Sequence, residues 1–248
     1  MMNVLDTGIG TAEANMRRDG KLLEELDPNG EPVLHLYQWS GPSATFGHFI
    51  APEKHLDLEK AKRHRLDLAR RPTGGGIVFH IWDLAFSFLM PSGHRAFSLN
   101  TLDNYKFVNG AVLEVMRAFF ALKGPVDLIA QDGASLGLDC QNFCMAKPTK
   151  YDVVYKGMKI AGAAQRKRKQ GYLHQGTISL AYPHVDLLKD VLMSKDEVLE
   201  AMRAYTFAPL GRVWEPEQLK RARQEIQKQL QDKLMEKLDS GAYTSSAQ

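Results

Sequence analysis

The chain has 248 residues, 44% hydrophobic and 25% charged, with a net charge of +3. That length allows one large domain or two small ones. The charge is too small to argue for a nucleic-acid partner, although it suits docking to acidic proteins. The opening "MMNVLDTGIG" lacks the basic stretch and apolar run of a secretory signal. The most apolar short run, Leu84 to Pro91, is far below membrane-spanning length. Two cysteines, Cys140 and Cys144, are too few for a disulfide framework, so reduced thiols and a cytoplasmic location are expected.

In chain order, "TAEANMRRDGKLLEEL" predicts a helix with Thr11 as N-cap and "DPNGEP" as its stop. "VLHLYQW" alternates β-formers up to "SGP" and predicts a strand, and "PSATFGHFI" a second, short one. The charged "PEKHLDLEKAKRH" predicts a helix leading into "ARRPTGGGIVFH". "GIVFHIWDLAFSFLM" reads as two core strands or one long bent strand. From Leu99 to Gly124, Tyr105, Val108, Val112, Val115 and Phe119 follow helical spacing, and Gly124-Pro125 ends the helix.

After it, "VDLIAQDG" reads as a short strand and turn. "YDVVYKGMKIAGAAQ" and "QGYLHQGTISLAY" predict two strands flanking a basic tetrad, Arg166 to Lys169, which is either a solvated loop or a docking patch for an acidic partner. "SKDEVLEAMRAY" opens on a capping box, Ser194-x-x-Glu197. The last helix, "PEQLKRARQEIQKQLQDKLMEKL", carries one apolar stripe from Leu219 to Leu238 that packs on the domain or reaches a partner. Strands and helices mix without βαβ alternation, so the prediction is an α+β domain, a mixed β-sheet with helices packed on it. The main domain is placed at residues 1–210, an amphipathic helix at 211–240 and a flexible tail at 241–248.

Four features carry chemistry. Gly74, Gly75 and Gly76 leave two readings open: a tight turn, or a bare backbone wall along a ligand. They fit neither a Walker A loop nor the dinucleotide G-x-G-x-x-G, though Arg70 or Arg71 would face the phosphates of a nucleotide lying there. Lys159 lies between a turn glycine, Gly157, and the small-residue patch "AGAA". Cys144 is either a small buried residue or a nucleophile, and C-x3-C with Cys140 lacks a second ligand pair, so no metal is expected. His80 and His174 fit hydrogen-bonded structural positions on strands as well as site positions.

Together, "AEANMRRD", "LHLYQWSGPSATFGHF", "RRPTGGGIVFH" and "GMKIAGAAQ…LHQGTISL" resemble the lipoate–protein ligase A and octanoyltransferase family, from about Ala12 to Leu180 and in the same order. The resemblance implies the biotin/lipoate protein ligase catalytic-domain fold, with no large accessory domain, and attachment of lipoate or octanoate to one lysine of a lipoyl domain. It assigns the acyl tunnel and adenylate site to Arg70, Arg71, Gly74, Gly75, Gly76, Ile77, Val78, His80, Gly162, His174 and Gly176. Lys159 would stand beside the reactive carbonyl, where a fixed cation stabilises developing negative charge.

Two chemistries share this scaffold. A ligase would use ATP with Mg2+ to form lipoyl-AMP. A transferase would take octanoate from acyl carrier protein through an acyl-enzyme at Cys144, because thiolates exchange readily with thioesters. Gly76 is the ligase form of its motif, so the ATP-dependent ligase is the leading expectation, with the cysteine-dependent octanoyltransferase as alternative and a non-catalytic lipoate-binding module third. Biotin ligation is disfavoured, since no "GRGRRG"-type phosphate loop is present. The acceptors implied are lipoyl domains of 2-oxoacid dehydrogenase complexes or the glycine cleavage H protein, with no nucleic acid, no membrane and no permanently bound cofactor. Two departures from the family pattern stand out. Gln175, not histidine, precedes Gly176, and two residues, Ile81 and Trp82, separate His80 from Asp83 where the family has "HD".

Overall fold

Alternation of apolar and polar side chains along extended segments, and helical stripes between them, decide where each element buries itself. The computed structural model describes residues 1–80, 82–122, 124–133, 137 and 139–240, so the tail expected at 241–248 and Ile81 lie outside the described residues. The N-terminus forms β1 (Asn3–Gly10), an edge strand that the sequence reading does not anticipate. Thr11 caps α1 (Ala12–Glu24), its hydroxyl accepting from the Ala14 N–H at 3.2 Å. β2 (Val33–Trp39) and β3 (Ser43–Phe46) follow. The charged segment predicted as one helix divides into a single turn at Pro52–Lys54 and α2 (Leu58–Arg63).

β4 (Asp67–Arg70) precedes the glycine run. The long apolar stretch after it is two strands, β5 (Ile77–His80) and β6 (Asp83–Pro91), and they belong to different sheets. Next come α3 (Thr101–Phe119), β7 (Val126–Leu128), β8 (Val153–Tyr155), β9 (Met158–Arg168) and β10 (Gly171–Ser179). Lys156 and Gly157 both take positive φ, 51° and 80°, the pairing that a tight two-residue hairpin between β8 and β9 requires. Three of the tetrad's residues are strand, not loop: β9 continues through Arg168, which pairs with Gly171, and Lys169 begins the turn. α4 (Val185–Val191), α5 (Lys195–Tyr205) and α6 (Pro216–Asp239) complete the chain.

Seven strands form one sheet in the order β1-β2-β6-β10-β9-β8-β7, and three form a second in the order β4-β3-β5. Both sheets are mixed, with β1–β2 and β3–β4 parallel and the other pairs antiparallel. On one face of the large sheet, Leu84, Phe86, Phe88 and Met90 of β6 meet α3 and the buried stripe of α6 in a single apolar core. α6 therefore closes the domain. A second core gathers around the small sheet, joining Phe46, Ile77 and Phe79 to α4 and α5. Between the two sheets lies the cavity described next. No described helix is long and apolar enough to cross a membrane.

Candidate active site

A cavity of about 200 Å³ opens between the sheets, with Met16, Tyr37, Trp39, Val78, Ala85 and Phe143 supplying apolar wall. Cys144 and Lys159 both line it, as do Arg71, Gly75, Gly76, His80, Gly162 and Gly176. Small side chains at Ala163 and Ala164 of β9 keep the slot open on the large-sheet side. Four residues expected at the site are not among its lining: Arg70, Gly74, Ile77 and His174.

Of the three, Gly76 is bare because the protein's own backbone presses on it, as it does on Gly47; a Cβ on Gly74 would meet nothing. A Cβ on Gly76 would sit 2.3 Å from the Asn142 carbonyl oxygen, and one on Gly47 would sit 1.9 Å from that of Gly75. Gly75 takes φ +86°, a left-handed conformation that glycine adopts without strain. What lies against Gly76 is the segment bearing the cysteine. Phe143 bridges to Ile77, and the Cys144 N–H donates to the Ile77 carbonyl at 3.1 Å. Ile77 itself is buried in the second core and serves as this anchor.

Arg71 braces the same loop. Its guanidinium, 6% exposed, donates to the carbonyls of Thr45 (3.0 Å), Gly74 (3.0 Å) and Gly76 (2.7 Å) and to the Thr45 hydroxyl at 2.8 Å. Burial lowers its pKa, and nearby Cys144 is the largest opposing influence. A Cβ on Gly75 would lie 3.2 Å from Arg71 Nη2 and 3.8 Å from Cys144 Sγ, so cation and thiol flank one point of the cavity wall. Arg70 faces away, donating to the carbonyls of His48 and Ile50 at 2.6 and 3.0 Å.

Two polar chains stiffen the walls. The Thr45 hydroxyl accepts from Arg71 at 2.8 Å and lies 2.7 Å from His80 Nε2. His80 Nδ1–H then donates to Asp83 at 2.7 Å, and Thr177 donates to the same carboxylate at 2.5 Å. The inserted residues therefore leave the His80–Asp83 contact in place. In the second chain Thr73 donates to Gln175 Oε1 at 2.6 Å, and Gln175 Nε2 donates to Asp19 at 2.6 Å. Asp19, fully buried, also accepts from Ser87 (2.6 Å) and contacts His35 at 2.7 Å. Gln175 thus ties the start of the glycine run to α1 and β2.

Lys159, 7% exposed, pairs with Asp152 at 2.7 Å. Asp152 also accepts from the Thr149 N–H and hydroxyl, at 2.7 and 2.9 Å. A Cβ on Gly162 would meet Lys159 Cε at 2.5 Å and Asp152 Oδ1 at 2.6 Å, so this glycine makes room for the pair. Tyr151, beside it, takes φ +67° with its carbonyl held by Asn109 at 2.8 Å. His174 lies on the other face of β10, where Gln165 reaches Nδ1 at 2.9 Å and Phe86 stacks on the ring. Complete burial lowers its pKa to about 3, so it is a neutral residue behind the sheet.

Sequence reasoning passed over Asp152, whose partners Thr149 and Lys159 are local, and Asp19 and Thr45, whose partners are distant in sequence. It registered Gln175 only as a departure from pattern. Cys140 is buried with its thiol 3.6 Å from the Glu197 carbonyl. Among the described residues, no cluster of three His, Cys, Asp or Glu could hold a metal ion.

Two sheets enclosing an apolar slot, with helices outside, constitute the lipoate-ligase catalytic fold. Lipoate-protein ligase A bound with ATP superposes with a TM-score of 0.67 at 20% identity, covering 100% of this chain and 96% of that one. The putative lipoate protein ligase Ta0514 of T. acidophilum with bound lipoic acid gives 0.67 at 22% identity, covering 97% and 92%. The chain belongs to the family described as the lipoyl protein ligase A/B catalytic domain, whose model matches residues 11–208. Octanoyltransferase LipM of Geobacillus kaustophilus is 33% identical over 196 residues, which are 77% of this chain and 67% of that protein. The LipM of Staphylococcus epidermidis is 31% identical over 215 residues, 83% and 75% of the two chains.

Proposed function

We propose that this protein transfers an octanoyl group from an acyl carrier protein thioester to a lysine of a lipoyl domain, through an acyl-enzyme at Cys144. The observation that carries this reading is the Cys144 thiol on the cavity wall, beside a buried guanidinium that has no carboxylate partner among the described residues. The octanoyltransferase relatives support it. In the first half-reaction Cys144 Sγ attacks the thioester carbonyl, a new thioester forms, and the carrier's thiolate leaves and takes up a proton. In the second, the acceptor amine attacks that thioester, the amide forms as the C–S bond breaks, and the released Cys144 thiolate takes up the proton the amine loses. Lys159 stands where a cation stabilises the oxyanion of either step, and Asp152 fixes its position. Burying about seven hydrocarbon carbons, at about 0.8 kcal/mol each, would hold the chain in the slot.

This replaces the ATP-dependent ligase as the leading expectation. The weight placed on Gly76 falls away, because its bare backbone answers to the Asn142 carbonyl, not to a nucleotide. Both arginines expected at the phosphates of ATP are engaged by loop carbonyls instead. The test is direct. Incubation with octanoyl-carrier protein, acid quench and mass spectrometry should find one octanoyl group on Cys144, and Cys144→Ala should carry none while remaining folded. Product formed by both proteins with ATP and lipoate, and none from the thioester, would sink the reading.

A further inference from the structure

Between Val153 and Val185 the chain carries six lysines and arginines and no aspartate or glutamate. That segment alone is +6 in a chain whose net charge is +3, so the remainder is net −3. Two of the six are accounted for by position: Lys159 is paired in the site, and Lys156 is in the β8–β9 turn over the Tyr155 ring. The other four, Arg166, Lys167, Arg168 and Lys169, follow one another at the β9–β10 tip, and none has a carboxylate partner among the described residues; Lys167, on the opposite strand face, donates to the Leu99 carbonyl at 2.9 Å. Arg166 is half-buried and the other three are exposed. Unlike residues of a solvated loop, three of the four stand on paired strand. The β9–β10 ladder runs out to Arg168–Gly171, and Gln170 pins the turn by donating to the Leu23 carbonyl at 2.9 Å.

The tip continues a strand that lines the cavity. Ala164 lines the slot, and strand alternation puts Arg166 and Arg168 on the same face of β9. Arg166 reaches back to the glycine loop, donating to the Pro72 carbonyl at 2.8 Å. Arg168 lies four residues beyond Ala164, about 13 Å at roughly 3.3 Å per residue. That separation distinguishes the two partners of a transferase. An acceptor lysine must bring its domain up to the mouth itself. A thioester at the end of a flexible prosthetic arm lets its carrier dock an arm's length away.

We infer that the Arg166–Lys169 tip of the β9–β10 hairpin is the docking surface for an acidic face of the carrier protein that delivers the acyl thioester. This rests on the transferase reading above. Fixed like charges on a rigid hairpin raise the encounter rate with an oppositely charged partner, an effect that salt screens. The test compares acylation of Cys144 by octanoyl-carrier protein and by octanoyl-N-acetylcysteamine, a small thioester without a protein body, in single turnover. In R168E/K169E the rate constant with the carrier at low salt should fall by tenfold or more, while that with the small thioester is unchanged. Wild-type acylation by the carrier should slow as salt rises, and acylation by the small thioester should not.

Unchanged carrier kinetics in the variant would overturn the inference, as would an equal loss with both thioesters. So would a defect confined to transfer from acylated enzyme to the lipoyl domain, which would make the tip the acceptor's dock. Wild-type protein acylated by neither thioester would overturn the transferase reading itself, and this inference with it.

Discussion

On β10, neighbouring residues live in different chemistries. Tyr172 and Ile178 enter the apolar core against α3 and α6, while Gln175 and Thr177 enter hydrogen-bond chains at the cavity. The face toward α3 is held by area, so its residues are interchangeable in kind and sensitive to volume. The face toward the small sheet is held by directed bonds among buried polar groups, each of which loses solvation if its partner is removed. The sheet thus separates the part that stabilises the domain from the part that positions Cys144 and Lys159.

Three experiments press on that division. The largest effect should come from Asp152→Ala, which leaves Lys159 buried and unpaired. Breaking such a pair costs about 3–5 kcal/mol; denaturant unfolding would read it, and acyl transfer should collapse with it. Asp152→Asn keeps the shape and should fold with reduced transfer, separating positioning from stability. Leu230→Ala, on the buried stripe of α6, should cost about 2–5 kcal/mol and leave the activity of the remaining folded protein unaltered. A lost activity per folded molecule would break the division.

The smallest effect belongs to His174, whose pKa falls from 6.5 to about 3 in the fold. Above pH 6.5 folded and unfolded states bind the same number of protons at this site, so its contribution is constant there. Below it the unfolded chain takes up a proton that the native state refuses, and stability is lost as pH falls toward 3. The slope approaches about 1.4 kcal/mol per pH unit in that window. His174→Gln should flatten it, as urea midpoints measured between pH 4 and 8 would reveal, without abolishing transfer.

Much of the apolar architecture was legible in the residues. The stripe from Leu219 to Leu238 and the 3–4 spacing of Val108, Val112 and Val115 lead straight to the α3–α6 core, because helical burial repeats with a fixed period. β1 was not, since "NVLDTGIG" is an edge strand with mostly exposed side chains and two glycines, so no alternation marks it. The basic tetrad misled for the opposite reason: charge suggests a loop, whereas ladder pairing decides the strand.

At the site, Cys144, Lys159, Arg71, Gly75 and Val78 do line one cavity. His174 and Gln175 illustrate what a motif cannot encode. Adjacent strand residues point to opposite faces, and the histidine expected at the site is the one that faces away. Thr45 was invisible because a lone polar residue has no period and its partners, Arg71 and His80, arrive only through the fold; Asp152 sits seven residues from Lys159 with no motif to mark it.

The interlock of Gly47, Gly74–Gly76 and Asn142 has a consequence for recombining relatives of this protein. A Cβ on Gly47 would run into the Gly74–Gly75 backbone and one on Gly76 into that of Asn142, so the glycine run is fitted against the segment that bears Cys144. Any side chain placed at position 76 should misplace Cys144 unless the 141–145 segment changes with it. The glycine run and the cysteine segment are one structural unit, with the 64 residues 77–140 between them.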